Sequence, residues 1–427
     1  MKRLNADLLK VGDVILTTTT AKVSKAVRFG TGSDISHAMV YVADHSVIDA
    51  TGDGVQARNT QRLLFDDDNP VHVLRLRETP SESQLREICT FVRARVGAEY
   101  STKEALRTVL GGGRGWTKKQ FSSRLVAQAY SSARIALVSN PNYCSPEDLK
   151  NSPQLIEVES VSVSITDQEA ARWEALPDMP QMMMDATNFV LAGAREKSGD
   201  IQSFDDLDSY LIEHPEHDDC FCGLLEQSGY LTLWQAEKEQ NPWQYDIELL
   251  NAFSSVDPGV DHYCRSVLAN EENGPNRYIV NRGGYARLAK QFGMRYFDLN
   301  LGLYDILTNL HQIRVRTATA WLEARYLPDT AEMPSSYLVP DTAEWFAALE
   351  VWDPPEAAMA RMAIATAGSI NVCSVCGDDP AKDYRLEEPF RPPAGVDTLR
   401  LCDDCLDIRR RTGDPFVPLP STPAETQ

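Results

Sequence analysis

The stretch that decides the fold is "SHAMVYVADHSVIDATGDGV", which runs from Ser36 to Val55. Its segments "HAMVYVA" and "SVIDAT" are rich in β-branched and aromatic residues, and the Asp44-His45 step between them suits a tight hairpin. The turn residues Gly52, Asp53 and Gly54 interrupt the chain again before "VQAR". The stretch therefore predicts antiparallel strands that follow one another directly along the chain.

The flanking sequence adds strands and then helices. "VGDVILTT" (11–18) and "VHVLRLR" (71–77) have the composition and alternation of strands. "SESQLREICTFVRARVG" (81–97) has helical spacing of its apolar residues, and "KKQFSSRLVAQAY" (118–130) begins a second amphipathic helix. A Thr-x-x-Gln pattern at 117–120 predicts a capping box there. An antiparallel sheet with packed helices is an α+β fold.

Four parts are predicted along the chain. An α+β domain spans 1–160, a mainly helical acidic domain spans 161–367, a four-cysteine module spans 368–412, and a disordered tail spans 413–427. The helical candidates of the second part are 167–175, 183–195, 204–213, 222–238, 246–254, 282–291, 301–327 and 342–364.

The net charge is unevenly distributed. Residues 1–160 contain 21 basic and 18 acidic residues, a balance of +3, and the remainder of the chain has a balance of −23. A strongly acidic surface disfavours nucleic-acid binding, which needs cations to displace phosphate counterions. We therefore expect no nucleic-acid partner, and the charge step predicts a boundary near residue 160.

The location of the protein is predicted from its N-terminus and cysteines. The short apolar runs of "MKRLNADLLKVGDVIL" are interrupted by charges, and no later stretch reaches the length of a membrane span. The nine cysteines, an odd number, fit a reducing compartment better than a secreted disulfide framework. We expect no signal peptide, no membrane span and a cytoplasmic protein, with export by another route left open.

Three polar residues are candidates for nucleophilic catalysis: Ser122, His37 and Asp49. A nucleophile needs a base and a group that orients the base, and a helix start supplies N–H groups for an oxyanion. His37 opens one predicted strand and Asp49 lies in the next, so a hairpin can place them side by side. Each residue alone also has a simpler role: a first-turn serine, a buried hydrogen-bonded histidine and an aspartate that begins a turn.

The motifs "GDVIL", "SHAMVYV", "IDA", "FSSRLV" and "SPEDL" occur in an order that resembles the permuted NlpC/P60 papain-like hydrolases of the YiiX/YebB-like group. The resemblance covers residues 11–156 and implies a permuted papain-like domain. It implies that His37 is the base, that Asp49 is the orienting acid, where glutamate is more usual, and that Tyr100 lies near the substrate pocket. The position of the nucleophilic cysteine falls on Ser122.

Serine at this position departs from the family, in which "FCSRLV" is expected. Three explanations are open: an engineered replacement of cysteine, a natural relative that lost its nucleophile and kept the pocket, or a serine that is itself the nucleophile. A serine hydroxyl is a far weaker nucleophile at neutral pH than a thiolate.

The resemblance implies hydrolysis of an amide or peptide bond through a thiolate and an acyl-enzyme. A lipid thioesterase or acyltransferase of the same fold, or a catalytically dead module that binds a peptide or acyl group, are the alternatives. The implied ligand is a peptide or acyl-amide substrate, and the helical domain is a candidate for binding a protein partner.

A metal site is predicted near the C-terminus. Cys373, Cys376, Cys402 and Cys405 form two Cys-x2-Cys pairs, and four thiolates give the closed tetrahedral shell of structural Zn²⁺. Such a shell leaves no position for a substrate, so the zinc is expected to hold a small fold together.

Two further clusters have weaker signals. The residue types of "HPEHDDCFC" (214–222) suit zinc, but their spacing matches no known site, and an exposed loop is the simpler expectation. The arginines at 409–411 are expected to lie on a solvated helix face.

Overall fold

A computed structural model describes residues 1–18, 34–43, 45–101, 120–257, 259–272, 276–326, 338–387 and 396–419. The chain forms two compact units, Met1–Tyr230 and Leu231–Gln427. The boundaries predicted at 160, 367 and 412 were placed where the amino-acid composition changes, whereas the two units are defined by contacts within each unit. The predicted boundaries therefore stay predictions.

The first unit is built on an antiparallel sheet. Its strands are β1 Lys2–Leu4, β2 Val14–Thr17, β3 His37–Ala43, β4 Ser46–Thr51, β5 Gly54–Asn59, β6 Val71–Leu76, β7 Leu155–Val158 and β8 Ser162–Ser164. The main sheet has the order β5-β4-β3-β2-β6-β7, and each neighbouring pair is antiparallel. Strands β1 and β8 form a separate pair.

The predicted hairpin is confirmed, and the strand that follows it is divided in two. Strand β3 pairs with β4, with Met39 opposite Asp49, and β4 pairs with β5, with Asp49 opposite Gln56. Gly54 has a φ of +104°, and a Cβ there would lie 2.8 Å from the carbonyl oxygen of Ala98. The glycine therefore permits β5 to begin directly after the turn.

Both faces of the sheet are covered. Helices α1 Glu82–Arg93, α2 Ser122–Ser132 and α3 Pro146–Lys150 follow the strands, and Ser81 and Gln84 form a capping box at the start of α1. Because successive strand residues point to opposite faces, Ala38 and Val40 pack with the residues of α2, whereas Met39 packs in a second core. The main sheet is thus buried between two apolar layers.

Further helices complete the first unit: α4 Asp167–Ala175, α5 Met179–Arg195, α6 Phe204–Glu213 and α7 Asp218–Ser228. The predictions at 167–175 and 204–213 are confirmed. The single helix predicted at 222–238 is wrong, because Gly229 takes a left-handed φ of 77° and ends α7.

The second unit is mainly helical, with a small sheet at its C-terminal end. Its helices are α8 Leu233–Gln240, α9 Ile247–Ser254, α10 Val260–Glu272, α11 Arg277–Phe292, α12 Arg295–Tyr326, α13 Ala343–Trp352, α14 Pro354–Ala367 and α15 Asp403–Thr412. Strands β9 Lys382–Leu386, β10 Thr398–Leu401 and β11 Phe416–Pro418 have the order β10-β9-β11.

The helix predicted at 342–364 is two helices, and α10 was not predicted. Asp353 leaves the helical region, with φ −137° and ψ 74°, because Pro354 follows it, and its side chain then caps α14. In the described ranges, none of the helices combines the length and apolar character that crossing a bilayer requires.

Candidate active site

His37 and Asp49 form a buried pair on the sheet of the first unit. The Nε2 atom of His37 lies 2.8 Å from Oδ2 of Asp49, whose side chain is completely buried. His37 is the first residue of β3, and Asp49 pairs with Met39 two residues further along, so their side chains are diagonal neighbours on one face. With Nε2 engaged by the carboxylate, Nδ1 is the ring nitrogen left for another partner.

A third residue, Arg58, also binds this carboxylate. Its Nη1 atom lies 3.2 Å from Oδ2 of Asp49, the same oxygen that binds His37. Oδ1 of Asp49 has no hydrogen-bond partner within the described part of the chain. Sequence reasoning missed Arg58. Gln56 lies opposite Asp49, and Arg58 follows Gln56 by two residues, so its side chain is on the same face of the sheet as that of Asp49.

The two adjacent serines of α2 have different surroundings. The hydroxyl of Ser123 donates a 2.6 Å hydrogen bond to the carbonyl oxygen of Cys144, and the Cys144 thiol donates back to the carbonyl of Ser123. Burial raises the pKa of the Cys144 thiol to about 12, so it stays a neutral donor. Ser122 is also buried, but its hydroxyl has no hydrogen bond to any residue the structure describes. Ser123 is therefore a structural residue, and Ser122 is not fixed in this way.

The start of α2 lacks a side-chain cap. Phe121 is the N-cap, in an extended conformation with φ −140°, and no side chain there accepts a hydrogen bond from the first turn. The prediction of a capping box at 117–120 is wrong for Gln120, because this residue precedes the helix and forms a β-bridge with Tyr100. Residue 117 lies outside the described residues. The N-cap residue thus supplies no side-chain acceptor for the N–H groups of this turn.

Among the described residues, no hydrogen bond links Ser122 to His37. Helix α2 packs on the face that carries Ala38 and Val40, whereas His37 is in phase with Met39 on the opposite face. A contact between residue 122 and the imidazole therefore has to be made around the end of β3, where His37 is the first residue. The catalytic roles of the three residues stay predictions.

Tyr100 is held beside the entry to α2. The backbone N–H of Ser101 donates to Gln120 O at 2.7 Å, and Gln120 N–H donates to Glu99 O at 2.9 Å, so the backbone at Tyr100 is fixed beside the residue that precedes Phe121. Burial raises the pKa of Tyr100 to about 12. Its phenol is neutral at physiological pH, and its predicted place in the substrate pocket stays a prediction.

A polar cavity of about 520 Å³ lies between the β4–β5 hairpin and α5, and neither His37, Asp49 nor Ser122 is among its lining residues. Its walls include Thr51, Gln56 and Arg58 from the hairpin, with Gln181 and Asp185 from α5. Arg58 is the residue that both lines this cavity and binds Asp49.

The four C-terminal cysteines converge in the second unit. Their sulfur atoms all lie within 4.8 Å of one another, and Sγ of Cys376 lies 3.5 Å from Sγ of Cys402. A tetrahedral Zn²⁺ with bonds of about 2.3 Å holds its sulfurs about 3.8 Å apart, so the donor set and its spacing fit this ion. The four cysteines can therefore hold a metal ion.

Two turns bring the cysteine pairs together. Gly377, with a φ of +82°, lets its N–H donate to Cys373 O at 2.9 Å, which closes a tight turn around the first cysteine pair. Cys402 is the N-cap of α15, where its sulfur accepts from the N–H of Cys405. Pairing of β9 with β10 then places the second pair beside the first.

The two weaker clusters differ from expectation. The segment 214–222 is helical rather than an exposed loop, and the rings of His214 and His217 pack around Tyr210, with centroid distances of 4.4 and 5.7 Å. Its residues are not among the described metal-binding groupings. Arg410 and Arg411 are exposed, as expected, whereas Arg409 is buried, and its guanidinium donates to Glu356 at 2.6 Å and to Gln312 at 2.8 Å.

A buried histidine–carboxylate pair on an antiparallel sheet, together with a helix that begins at Ser122, is compatible with the papain-like class of hydrolases. Residues 8–187 match the model of the family described as "Permuted papain-like amidase enzyme, YaeF/YiiX, C92 family". This match confirms the resemblance predicted from the sequence.

One solved structure, that of "metalloprotein yiiX from Escherichia coli O157:H7", is similar at 20% identity and a TM-score of 0.30, over 35% of this chain and 97% of that chain. No curated protein matches the chain.

Proposed function

We propose that the first unit is a papain-like amidase domain whose reaction centre consists of position 122, His37 and Asp49. The observation that carries the proposal is the completely buried hydrogen bond between His37 Nε2 and Asp49 Oδ2. The family match supports a hydrolase of this fold with an amide bond as the substrate.

The hydrogen bond to Asp49 sets the chemistry of the imidazole. An ionised Asp49 accepts a hydrogen bond from Nε2–H of His37. The lone pair on Nδ1 is then available to take the proton of a nucleophile at position 122. The nucleophile then attacks the amide carbon, and the first-turn N–H groups of α2 stabilise the oxyanion. His37 returns the proton to the leaving amine, and water hydrolyses the acyl-enzyme in a second step.

Ser122 makes this chain the inactive form of that site. A thiol loses its proton near neutral pH when a helix start and an imidazole help, whereas a hydroxyl does not. The hydroxyl of Ser123 is fixed by a hydrogen bond, whereas that of Ser122 has none to a described residue. This difference supports position 122 as the position of the nucleophile. The same observation supports the second candidate function, a catalytically dead module that binds peptides or acyl groups.

The substrate class follows from the family match. A permuted papain-like amidase family supports an amide substrate over the acyl chain of a lipid thioesterase or acyltransferase substrate. The neutral phenol of Tyr100, close to the entry of α2, is proposed to contact the substrate.

The experiment restores the thiol. In the Ser122→Cys variant, iodoacetamide should alkylate the introduced cysteine at pH 6–7 far faster than the exposed Cys220, as followed by peptide mass spectrometry. Adding His37→Ala should return the rate at position 122 to that of an ordinary thiol.

Ser123→Cys is the matched control, because it places a thiol one residue away on the same helix turn. Equal alkylation of the two introduced cysteines, or no effect of His37→Ala, would remove the amidase proposal. A reactive thiol at position 122 with no hydrolysis of amides or esters would favour the binding module.

We further propose that the four cysteines of the second unit bind one structural Zn²⁺. The four thiolate donors and their mutual distances support this ion. Bound there, the zinc would hold the β9–β10 sheet to the start of α15 and leave no coordination position for a substrate.

A further inference from the structure

Two cationic or proton-donating groups share one oxygen of Asp49. The Nε2 atom of His37 lies 2.8 Å from Oδ2, and Nη1 of Arg58 lies 3.2 Å from the same atom. The two nitrogens therefore cannot be more than about 6 Å apart, a distance at which charges shift each other's protonation. Because Oδ1 has no partner within the described residues, both interactions act through a single oxygen.

The histidine–carboxyl pair can hold one proton or two. With one proton, Asp49 is ionised and the proton is on Nε2 of the ring. With a second proton, taken up from solvent, Asp49 can be the protonated group that donates to Nε2 while the ring proton lies on Nδ1. Only the first arrangement leaves a lone pair on Nδ1 for the proton of a nucleophile. The side chain of Asp49 is completely buried, so a charge on its carboxylate needs a neighbouring cation or hydrogen-bond donors in place of water.

We infer that Arg58 is a positioning residue that keeps Asp49 ionised and thereby places the proton of neutral His37 on Nε2. A guanidinium is always charged, so its hydrogen bond to Oδ2 stabilises only the ionised carboxylate. This inference rests on the proposed function, because the proton position matters for catalysis only if His37 is the base.

The surroundings of Arg58 make the inference testable. Its side chain is 40% exposed and lines the cavity, so a change there leaves the two cores of the sheet intact. The other charged groups around the cavity are Arg62, after β5, Asp53, in the hairpin turn, and Asp178 and Asp185, at the N-terminal end of α5. Arg62 lies 3.8 Å from Asp178 and donates to the carbonyls of 176 and 177, so it offers an equal charge in the same cavity without a bond to Asp49.

The experiment follows the ring nitrogens of His37 by ¹⁵N NMR in the full-length chain, in which Ser122 needs no change. His37→Asn identifies the signals among the seven histidines. In the unchanged chain, neutral His37 should carry its proton on Nε2. In Arg58→Gln, which keeps a donor and loses the charge, a population with the proton on Nδ1 should appear. The spectra are recorded over a pH series, so that neutral and charged His37 are both observed.

Two further variants separate charge from structure. Arg58→Lys should restore most of the Nε2-protonated form, and Arg62→Gln, the charge-matched control, should leave the His37 signals nearly unchanged. Identical His37 titration and tautomer in the unchanged chain and in Arg58→Gln would overturn the inference, as would an equal effect of Arg62→Gln.

The test is independent of the alkylation experiment on Ser122→Cys. Normal His37 signals in Arg58→Gln, together with a reactive thiol at position 122, would reject the role of Arg58 and keep the amidase proposal. Shifted signals with an unreactive thiol at that position would reject the amidase proposal and keep the electrostatic link between Arg58 and the pair.

Discussion

Ser122 and Ser123 are neighbours in the first turn of α2, yet only Ser123 has its hydroxyl bonded within the described part of the chain, 2.6 Å from the carbonyl oxygen of Cys144. Among those same residues, the hydroxyl of Ser122 has no partner, although the residue is just as buried. Within the described residues, the fold thus accounts for the hydroxyl of Ser123 and gives no such account of the hydroxyl of Ser122.

Replacement of the two serines by alanine should therefore affect stability differently. Ser123→Ala leaves the buried carbonyl of Cys144 without its donor, and we expect the free energy of unfolding to fall by about 1–3 kcal/mol. Ser122→Ala removes no described hydrogen bond and should change it by less than about 0.5 kcal/mol. Urea denaturation of both variants measures the difference, and equal losses would contradict it.

Loss of the charge on Asp49 should reduce the reactivity of an introduced thiol at position 122. In the Ser122→Cys background, Asp49→Asn keeps the size of the side chain but cannot balance an imidazolium, so alkylation at a pH of about 6.5 should slow by about tenfold or more. Gln56→Glu, on the residue opposite Asp49, is a control that adds charge without removing the pair. An unchanged rate in Asp49→Asn would show that His37 acts without this carboxylate.

The stability of the second unit should fall as the pH rises from about 4 to about 7. Burial, and then the charge of Glu356, raise the pKa of Asp353 to about 7 from an ordinary value near 3.8, so the folded state holds its proton more tightly than the unfolded chain does. Folding is then favoured below the unfolded pKa, and this contribution, on the order of a few kcal/mol, is lost as pH passes through the folded pKa. Asp353→Asn keeps the cap on α14 and should flatten this dependence in thermal or urea unfolding. A slope unchanged by Asp353→Asn would refute the assignment.

The arginines of α15 should differ sharply in their effect on stability. Arg409 is buried and donates to Glu356 and Gln312 and, at 3.2 Å, to Asp414, so Arg409→Met leaves the carboxylate of Glu356 buried without its partner. We expect a loss of about 3–5 kcal/mol in the free energy of unfolding. Arg411→Met, on the exposed face of the same helix, should be nearly neutral. Similar losses for both variants would mean that the buried network is not stabilising.

Metal analysis should find one zinc ion per chain in protein purified without chelators. Cys376→Ser removes one of the four thiolates, so it should lower zinc content and reduce the stability of the second unit. Cys220→Ser, at an exposed cysteine outside the cluster, should keep the full zinc content. A chain that folds equally well and binds no zinc would leave the four cysteines as free thiols.

Local sequence patterns predicted the elements with strong local signals. The hairpin of β3 and β4, and the helices at 167–175 and 204–213, follow from alternation and capping residues that act within a few positions. The diagonal contact of His37 and Asp49 could be anticipated because a tight hairpin fixes the register of its strands.

Features that depend on tertiary contacts were not predictable in the same way. The bond from Arg58 to Asp49 requires the register of β5, and the burial of Arg409 requires partners 53 and 97 residues away. The start of α2 was placed too early because Gln120 is used for the bridge to Tyr100, and the break at Asp353 was hidden inside an apolar helical pattern.

The short separation of His37 and Asp49, 12 residues along the chain, has a consequence for biosynthesis. A hairpin of this length closes in microseconds, so the ribosome can release both partners of the pair, ready to meet, long before it has translated residue 122. Every partly made chain up to that point carries the histidine and its carboxylate without residue 122. The pair can therefore form before the helix that covers the other face of the sheet has emerged.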